Sequence, residues 1–220
     1  VTRIRTAAAS ALASRELART SARTHGIFGA GVQAAAHLEA IACVRKIDKV
    51  LVWARDFGKA SHFAETHSGK HRYEGCAVED PAEAAACVIV SVVTNAARPI
   101  LRGQWVKPGA HLNLVGAHEA ETREADSDAV SSATIYVDTR QGALSKAGDL
   151  LIPIREHRIK ADDICGEIGE VLMGAAPGRT DDQQTTLYKS LGIVAQDLYA
   201  AEYLLQLARN QGVGQMVDFP

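Results

Sequence analysis

Long apolar runs are missing from this sequence. None approaches the ~18 residues that a membrane-spanning helix needs, so no segment reads as a span. The alanine-rich residues 7–13 lack the Leu/Val core of a signal peptide and contain Ser10. Neither sign of charge dominates: 24 Lys and Arg oppose 26 Asp and Glu, a net −2, which argues against a nucleic acid held by bulk charge. Cysteine is scarce. Cys43, Cys76, Cys87 and Cys165 show no CxxC or metal-ligand spacing. The first three sit in apolar context and read as buried thiols, which fits a reducing, cytoplasmic compartment. The initial residue is Val1 rather than Met, so the chain reads as processed, trimmed or a fragment.

What is present is a large apolar fraction in a regular alternation. Hydrophobic residues make up 47% of 220, enough for a substantial core. Helical composition over residues 5–19 precedes an apolar run ending at Phe28. A helix is expected over 32–44, a buried strand over 50–53, a helix over 59–66 and a short strand over 73–78. Asp80-Pro81 reads as a helix cap followed by proline at the first position. Strands follow over 88–93, 111–115 and 134–137. Strand and helix alternating at this spacing imply an α/β fold with a parallel, doubly wound sheet. Residues 150–158 look irregular, residues 162–173 read as helical, and residues 185–208 read as one long helix mildly broken by Gly192.

The chemistry concentrates in Thr24-His-Gly-Ile-Phe-Gly-Ala-Gly-Val-Gln-Ala34. An apolar run, a glycine turn and a helix start form an anion site, because the first N–H groups of a helix lack intrahelical partners. Gly29 permits the turn, Gly31 admits a pyrophosphate to the backbone, and Ala34 lets the helix pack closely on the sheet. An acid at the end of the second strand would bind a ribose 2′-OH, as NAD requires. Ala54 stands at that position, and Arg55 follows with a guanidinium suited to a 2′-phosphate. NADP is therefore the expected cofactor, with NAD second. Asp56 is the counter-argument, since a small register shift would bring it to the ribose. Thr94 and Asn95 after the fourth strand, and residues 113–118 after the fifth, face the cofactor cleft in such sheets. His118 stands on the second of these loops, where an imidazole can act as acid and base.

Several further segments carry a resemblance. Arg5-Thr-Ala-Ala-Ala-Ser-Ala11, the glycine turn with His37-Leu-Glu-Ala40, and Gly109-Ala-His-Leu-Asn-Leu-Val-Gly-Ala117 belong to it. So do Arg123-Glu-Ala-Asp126, Gly148-Asp-Leu150, Glu167-Ile-Gly-Glu-Val-Leu172, Pro177-Gly-Arg179 and Tyr188-Lys-Ser-Leu-Gly192. In order and over nearly the whole chain, they resemble the ornithine cyclodeaminase/mu-crystallin family. The resemblance implies a Rossmann domain over 22–184 and two segments of a second, substrate and dimerisation domain. Those segments are a connecting helix over 1–21 and a returning helix over 185–220, in a protein working as a homodimer. It implies that Arg5 grips a substrate carboxylate, a task suited to a bidentate guanidinium. It implies that Thr6 lies beside the cofactor phosphates, that Val32 and Gln33 contact the pyrophosphate, and that Arg55 meets the adenosine phosphate. Thr94 and Val115 would flank the ribose and nicotinamide, and Ser190 the nicotinamide amide.

Two departures sharpen the expectation. Ornithine cyclodeaminases carry an aspartate where this chain has His118, and an imidazole cannot replace a carboxylate that holds an ammonium group. This favours NAD(P)H-dependent reduction of a cyclic ketimine carboxylate, of the Δ1-pyrroline- or Δ1-piperideine-2-carboxylate type. The alternatives are cyclisation of ornithine with loss of ammonia, alanine-type dehydrogenation, and a non-catalytic, crystallin-like NADP binder or truncated remnant. Second, the Arg5 motif follows a long N-terminal stretch in the family, and this chain does not contain it. Among weaker constellations, His62, His67 and His71 lack a carboxylate or thiol to complete a metal set, and no metal is expected. Lys189 reads as solvated or structural, Asp149 as a helix cap, and Leu187, Leu191, Leu198, Ala201 and Leu205 as a core or subunit stripe.

Overall fold

The computed structural model describes residues 1–69, 73–215 and 217. Eight parallel strands form one sheet in the order β3-β2-β1-β4-β5-β8-β6-β7. They are β1 (Thr24–Phe28), β2 (Lys49–Trp53), β3 (Glu74–Ala77), β4 (Ile89–Val92), β5 (His111–Leu114), β6 (Thr134–Val137), β7 (Ile164–Glu167) and β8 (Thr186–Lys189). The chain runs outward from β1 through β2 to β3, then returns to start β4 on the other side of β1. That reversal opens a crevice at the carboxyl ends of β1 and β4, where such sheets bind ligands. The register brings the strand ends level: Trp53 lies opposite Phe28, Phe28 opposite Val92, Val92 opposite Leu114, and Leu114 opposite Lys189.

The helices form for local reasons. α2 (Val32–Val44) starts at Gly31, while α3 (Phe57–His67) is capped by Asp56, whose carboxylate accepts from Lys59 N. α4 (Pro81–Ala85) has the expected Asp80 cap and leading proline, and α5 (Ser127–Ser131) is capped by Asp126. α1 (Thr2–Leu17) buries Ala7, Ala9, Ala11, Ala13 and Leu17 together with Ser10 and Ser14. Those serines belong to a buried polar layer between α1 and the sheet. His37 Nε2 meets Ser10 Oγ (2.9 Å), Asn113 Nδ2 donates to Ser14 Oγ (3.0 Å), and His25 Nε2 meets Ser91 Oγ (2.9 Å). Burial is the main cause that holds His25, His37 and His111 down, at about 3, about 4 and about 3.

The second half departs from expectation in three places. Most of residues 150–158 are not irregular: α6 (Arg140–Lys146) is followed by α7 (Gly148–Arg155), with Pro153 inside its last turn, and only residues 156–158 form a turn and bend. The helix expected over 162–173 is β7 followed by the short α8 (Ile168–Leu172). The long helix expected from 185 is also absent. Residues 186–189 form β8 in the middle of the sheet, and only α9 (Val194–Gln211) is helical. A strand buried on both faces has no alternation to betray it, and a lysine at its end looked like a solvated helix position. The leucine stripe therefore divides: Leu187 is core, while Leu198 and Leu205 are exposed on α9. Two of the three thiols read as buried are not, since Cys43 is exposed and Cys76 only half-buried. Cys87 is buried, and burial pushes its thiol up to about 11. No helix among the described residues is long and apolar enough to cross a membrane.

Candidate functional site

The turn after β1 is built as its glycines require. Gly29 has φ +120°, a conformation that other residues rarely adopt, and its N–H donates to Trp53 O (2.8 Å). A side chain at Gly31 would meet nothing within 4 Å, so the space above it is open for a ligand. Gly31 also has no side chain with which to cap α2, leaving the first N–H groups of that helix available to an anion. Val32 is exposed beside this turn, and Gln33 Oε1 is buried without a hydrogen-bond partner.

A cleft of about 680 Å³ extends from this turn across the ends of β2 and β4. Gly29, Gly31, Ala54, Arg55 and Thr94 line it together, as expected, and so do Asp56 and Lys59. Asp56 Oδ1 accepts from Lys59 N (3.1 Å) and so caps α3, while the residue also lines the cleft. Arg55 and Lys59 bring two exposed cations to the same end of the cleft.

The other half of the expected site lies further along the same sheet edge. Val115 N donates to Val92 O (3.0 Å) and Ser190 N to Leu114 O (3.0 Å), which places both residues just past the strand ends. Ser190 Oγ and Thr6 Oγ1 are buried without hydrogen-bond partners. Arg5 lies against Gly192, where any side chain would overlap the guanidinium, and its Nε pairs with Asp197 Oδ1 on α9 (3.0 Å). His118 is exposed on the loop after β5 and does not line the cleft of the glycine turn. Its Nδ1 donates to Gly116 O (2.9 Å), which leaves Nε2 free for proton exchange. The cleft's open glycine turn and the orphaned polar atoms of Thr6, Gln33 and Ser190 suit a dinucleotide, which would satisfy buried groups that otherwise cost stability.

Five residues are important to this edge, of which Lys59, Asp138 and Glu124 carry no role in the sequence reading. Asp138, following β6, accepts from Tyr188 Oη, from Leu191 N and Gly192 N (both 2.6 Å) and from Gln196 Nε2 (3.0 Å). It thereby fixes the turn against which Arg5 rests, and burial with its nearby charge holds the Tyr188 phenol well above its ordinary range. Asp149 is not a helix cap, and of the two roles read for Lys189 the structural one holds. Both are fully buried, paired at 2.9 Å, with Lys189 Nζ also donating to Ala117 O (2.5 Å). Asp149 Oδ1 accepts from Glu124 N (2.7 Å) and Ala125 N (3.1 Å). Glu124 completes the set. The signal lay in the motifs that contain these residues, but a lone acid in a motif does not show what it bonds. Of the three clustered histidines, His67 packs its ring on Phe63 with centroids 4.4 Å apart, and His71 lies outside the described residues. Among the described residues no group of three or more His, Cys, Asp or Glu is placed to hold a metal ion.

Comparison with known proteins adds independent observations. Residues 1–212 match the family described as "Ornithine cyclodeaminase/mu-crystallin family". The chain is 37% identical over 221 residues to Delta(1)-pyrroline-2-carboxylate reductase of Bacillus cereus, covering 100% of this chain and 68% of that protein. It is 41% identical over 202 residues to ketimine reductase mu-crystallin of Mus musculus, covering 92% and 61%. The structure of Thermococcus litoralis Delta(1)-pyrroline-2-carboxylate reductase in complex with NADH and L-proline superposes with a TM-score of 0.95. Its identity is 38%, over 98% of this chain and 67% of that one.

Proposed function

The chain belongs to the ornithine cyclodeaminase/mu-crystallin family, and from that premise we propose that it reduces a cyclic ketimine carboxylate to a cyclic amino acid. The substrate class is that of Δ1-pyrroline- or Δ1-piperideine-2-carboxylate. The observation that carries this reading is the row of groups along one sheet edge. The open glycine turn starts α2 beside unpartnered Gln33, while unpartnered Ser190 follows β8 and the adjoining turn at Gly192 meets the guanidinium of Arg5, whose neighbour Thr6 is also unpartnered. One end suits a dinucleotide and the other suits a carboxylate.

When bound, a reduced nicotinamide supplies a hydride to the C=N carbon. The chain's own residues bind, orient and protonate. Arg5 offers a planar fork of donors to the substrate carboxylate, and the Gly192 backbone leaves room for that fork. Asp197 is the carboxylate Arg5 holds in this structure, so a substrate carboxylate shares or takes that partner's place. His118, with Nδ1–H committed to Gly116 O, presents Nε2 as the proton donor in its imidazolium form, directly or through a water, and returns to the neutral ring on giving up that proton. An imine accepts hydride better when protonated, which gives the imidazole its use.

NADP is the preferred cofactor in this proposal. Arg55 and Lys59 supply the positive charge that a 2′-phosphate attracts, and Asp56 caps α3. The working protein is proposed to be a cytoplasmic homodimer; the exposed Leu198, Tyr199 and Tyr203 of α9 support a covered face. The test is a substrate panel with purified protein and either NADPH or NADH. Consumption of reduced cofactor with Δ1-pyrroline-2-carboxylate supports the reading. Ammonia release from ornithine, or NAD reduction with alanine, would replace it with cyclodeamination or dehydrogenation. Unchanged turnover and pH profile in His118→Ala would remove the role given to that residue.

A further inference from the structure

Three motifs far apart in the chain meet beneath the candidate nicotinamide site. Arg123-Glu-Ala-Asp126 brings Glu124, Gly148-Asp-Leu150 brings Asp149, and Tyr188-Lys-Ser-Leu-Gly192 brings Lys189. All three side chains are fully buried. Burying an unpaired charge is costly, so such a cluster must be tightly bonded to persist.

Glu124 is bonded to both turns that frame the site. Its Oε1 accepts from Thr94 N (2.8 Å) and Thr94 Oγ1 (2.5 Å), in the turn after β4. Its Oε2 accepts from Gly116 N (2.6 Å) and Ala117 N (3.3 Å), in the turn after β5. The turns touch directly, because any side chain at Gly116 would overlap Thr94 O. Behind Glu124, Asp149 accepts from its backbone N–H and pairs with Lys189, and Lys189 donates to Ala117 O. Ala117 is therefore held through its N–H by one member of the cluster and through its C=O by another.

We propose that Glu124 is a positioning residue whose carboxylate anion clamps the Thr94 turn to the Gly116–Ala117 turn, setting the width of the cofactor's nicotinamide end. This rests on the dinucleotide reading above. All four partners of the carboxylate are donors, which suits an anion with two acceptor oxygens. Protonation removes the charge that strengthens the three N–H bonds, and the added hydrogen is accommodated only by turning the Thr94 hydroxyl from donor to acceptor, although it already accepts from Ala96 N (3.1 Å). Burial first, and the charge of Asp149 second, push the Glu124 carboxyl up to about 7, while the Thr94 bonds and Lys189 pull the other way. When the two turns part locally, the carboxyl stays buried but gives up these donors, which raises it further. Local opening therefore takes up a proton, and the clamp loosens as pH falls through about 7, whereas global unfolding exposes the carboxyl and releases the proton. The other titratable groups facing it are Asp149 on α7, Lys189 on β8 and His118, whose Nδ1 holds Gly116 O.

The test combines amide hydrogen exchange with cofactor binding. Exchange at Thr94, Gly116 and Ala117, corrected for intrinsic rates, is followed from about pH 8.5 to about 5.5. The wild type should lose protection about ten-fold through pH ~7. Glu124→Gln, which puts an amide donor against N–H donors, should show low protection with no inflection. Thr94→Val keeps the shape of the side chain but removes a bond that favours the anion, so its inflection should move upward. NADH, which lacks the 2′-phosphate that itself titrates near pH ~6, should bind about ten-fold more weakly at the acid end in the wild type and uniformly in Glu124→Gln. A wild-type inflection retained in Glu124→Gln, or an unmoved midpoint in Thr94→Val, overturns the proposal. A wild type with the expected exchange pattern that binds neither NADH nor NADPH sustains the clamp and overturns the dinucleotide reading.

Discussion

Acidification should destabilise this fold steeply, and the slope follows from buried groups. His25, His37 and His111 sit at about 3, about 4 and about 3 when folded, against 6.5 when free. A folded pKa below the unfolded one means that the unfolded chain takes the proton first. Stability is then present above the unfolded pKa and falls as pH drops below 6.5, by ~1.4 kcal/mol per pH unit for each imidazole. Glu124 acts with the opposite sign. Its folded value of about 7 exceeds 4.5, so its contribution is present below 4.5 and lost as pH rises through about 7. Between 4.5 and 6.5 three histidine protons oppose one glutamate proton, a net uptake of two on unfolding. The slope is then ~2.7 kcal/mol per pH unit, or ~4 kcal/mol between about pH 6.5 and 5. That is a large part of the ~5–15 kcal/mol that holds a typical domain together. Urea unfolding followed by Trp53 and Trp105 fluorescence measures it directly. His37→Gln should lower the slope by about one proton. Stability that stays level or rises on acidification across this range would refute the reasoning.

Other substitutions should act locally. Lys189→Met leaves Asp149 buried and uncompensated, and should cost about 3–5 kcal/mol in urea unfolding; adding Asp149→Asn should recover part of that loss. Gly116→Ala forces a methyl into Thr94 O, so the soluble, folded fraction should fall sharply at growth temperature. Arg55→Ala with Lys59→Ala should raise the KM for NADPH at least ~10-fold while leaving that for NADH within about two-fold. Arg5→Ala should raise the KM for the imine carboxylate ~100-fold, the ~3 kcal/mol of a charge-assisted bidentate pair, with little change in the KM for NADPH.

Much of the first half was legible in the sequence because local signals and tertiary demands agree there. The glycine turn, the Asp80-Pro81 cap and the apolar runs of β1, β2, β4 and β5 each name their own structure. The second half was harder. β8 carries Thr186, Leu187, Tyr188 and Lys189 inside the sheet, and its lysine is tolerable only because Asp149 reaches it from α7. No local pattern announces a partner 40 residues away. Glu124 and Asp138 were hidden for the same reason, since their roles come from backbone N–H groups supplied by other segments. The site residues Gly29, Gly31, Ala54, Arg55 and Thr94 share one cleft, whereas His118 and Arg5 stand further along the edge.

The most direct measurement is the fate of the hydride. Purified protein supplied with NADPH carrying deuterium at both positions of the nicotinamide C4 and with Δ1-pyrroline-2-carboxylate should yield proline carrying deuterium at Cα. Proline formed without deuterium at that carbon, or cofactor binding with no product from any cyclic imine carboxylate, would contradict imine reduction by this chain.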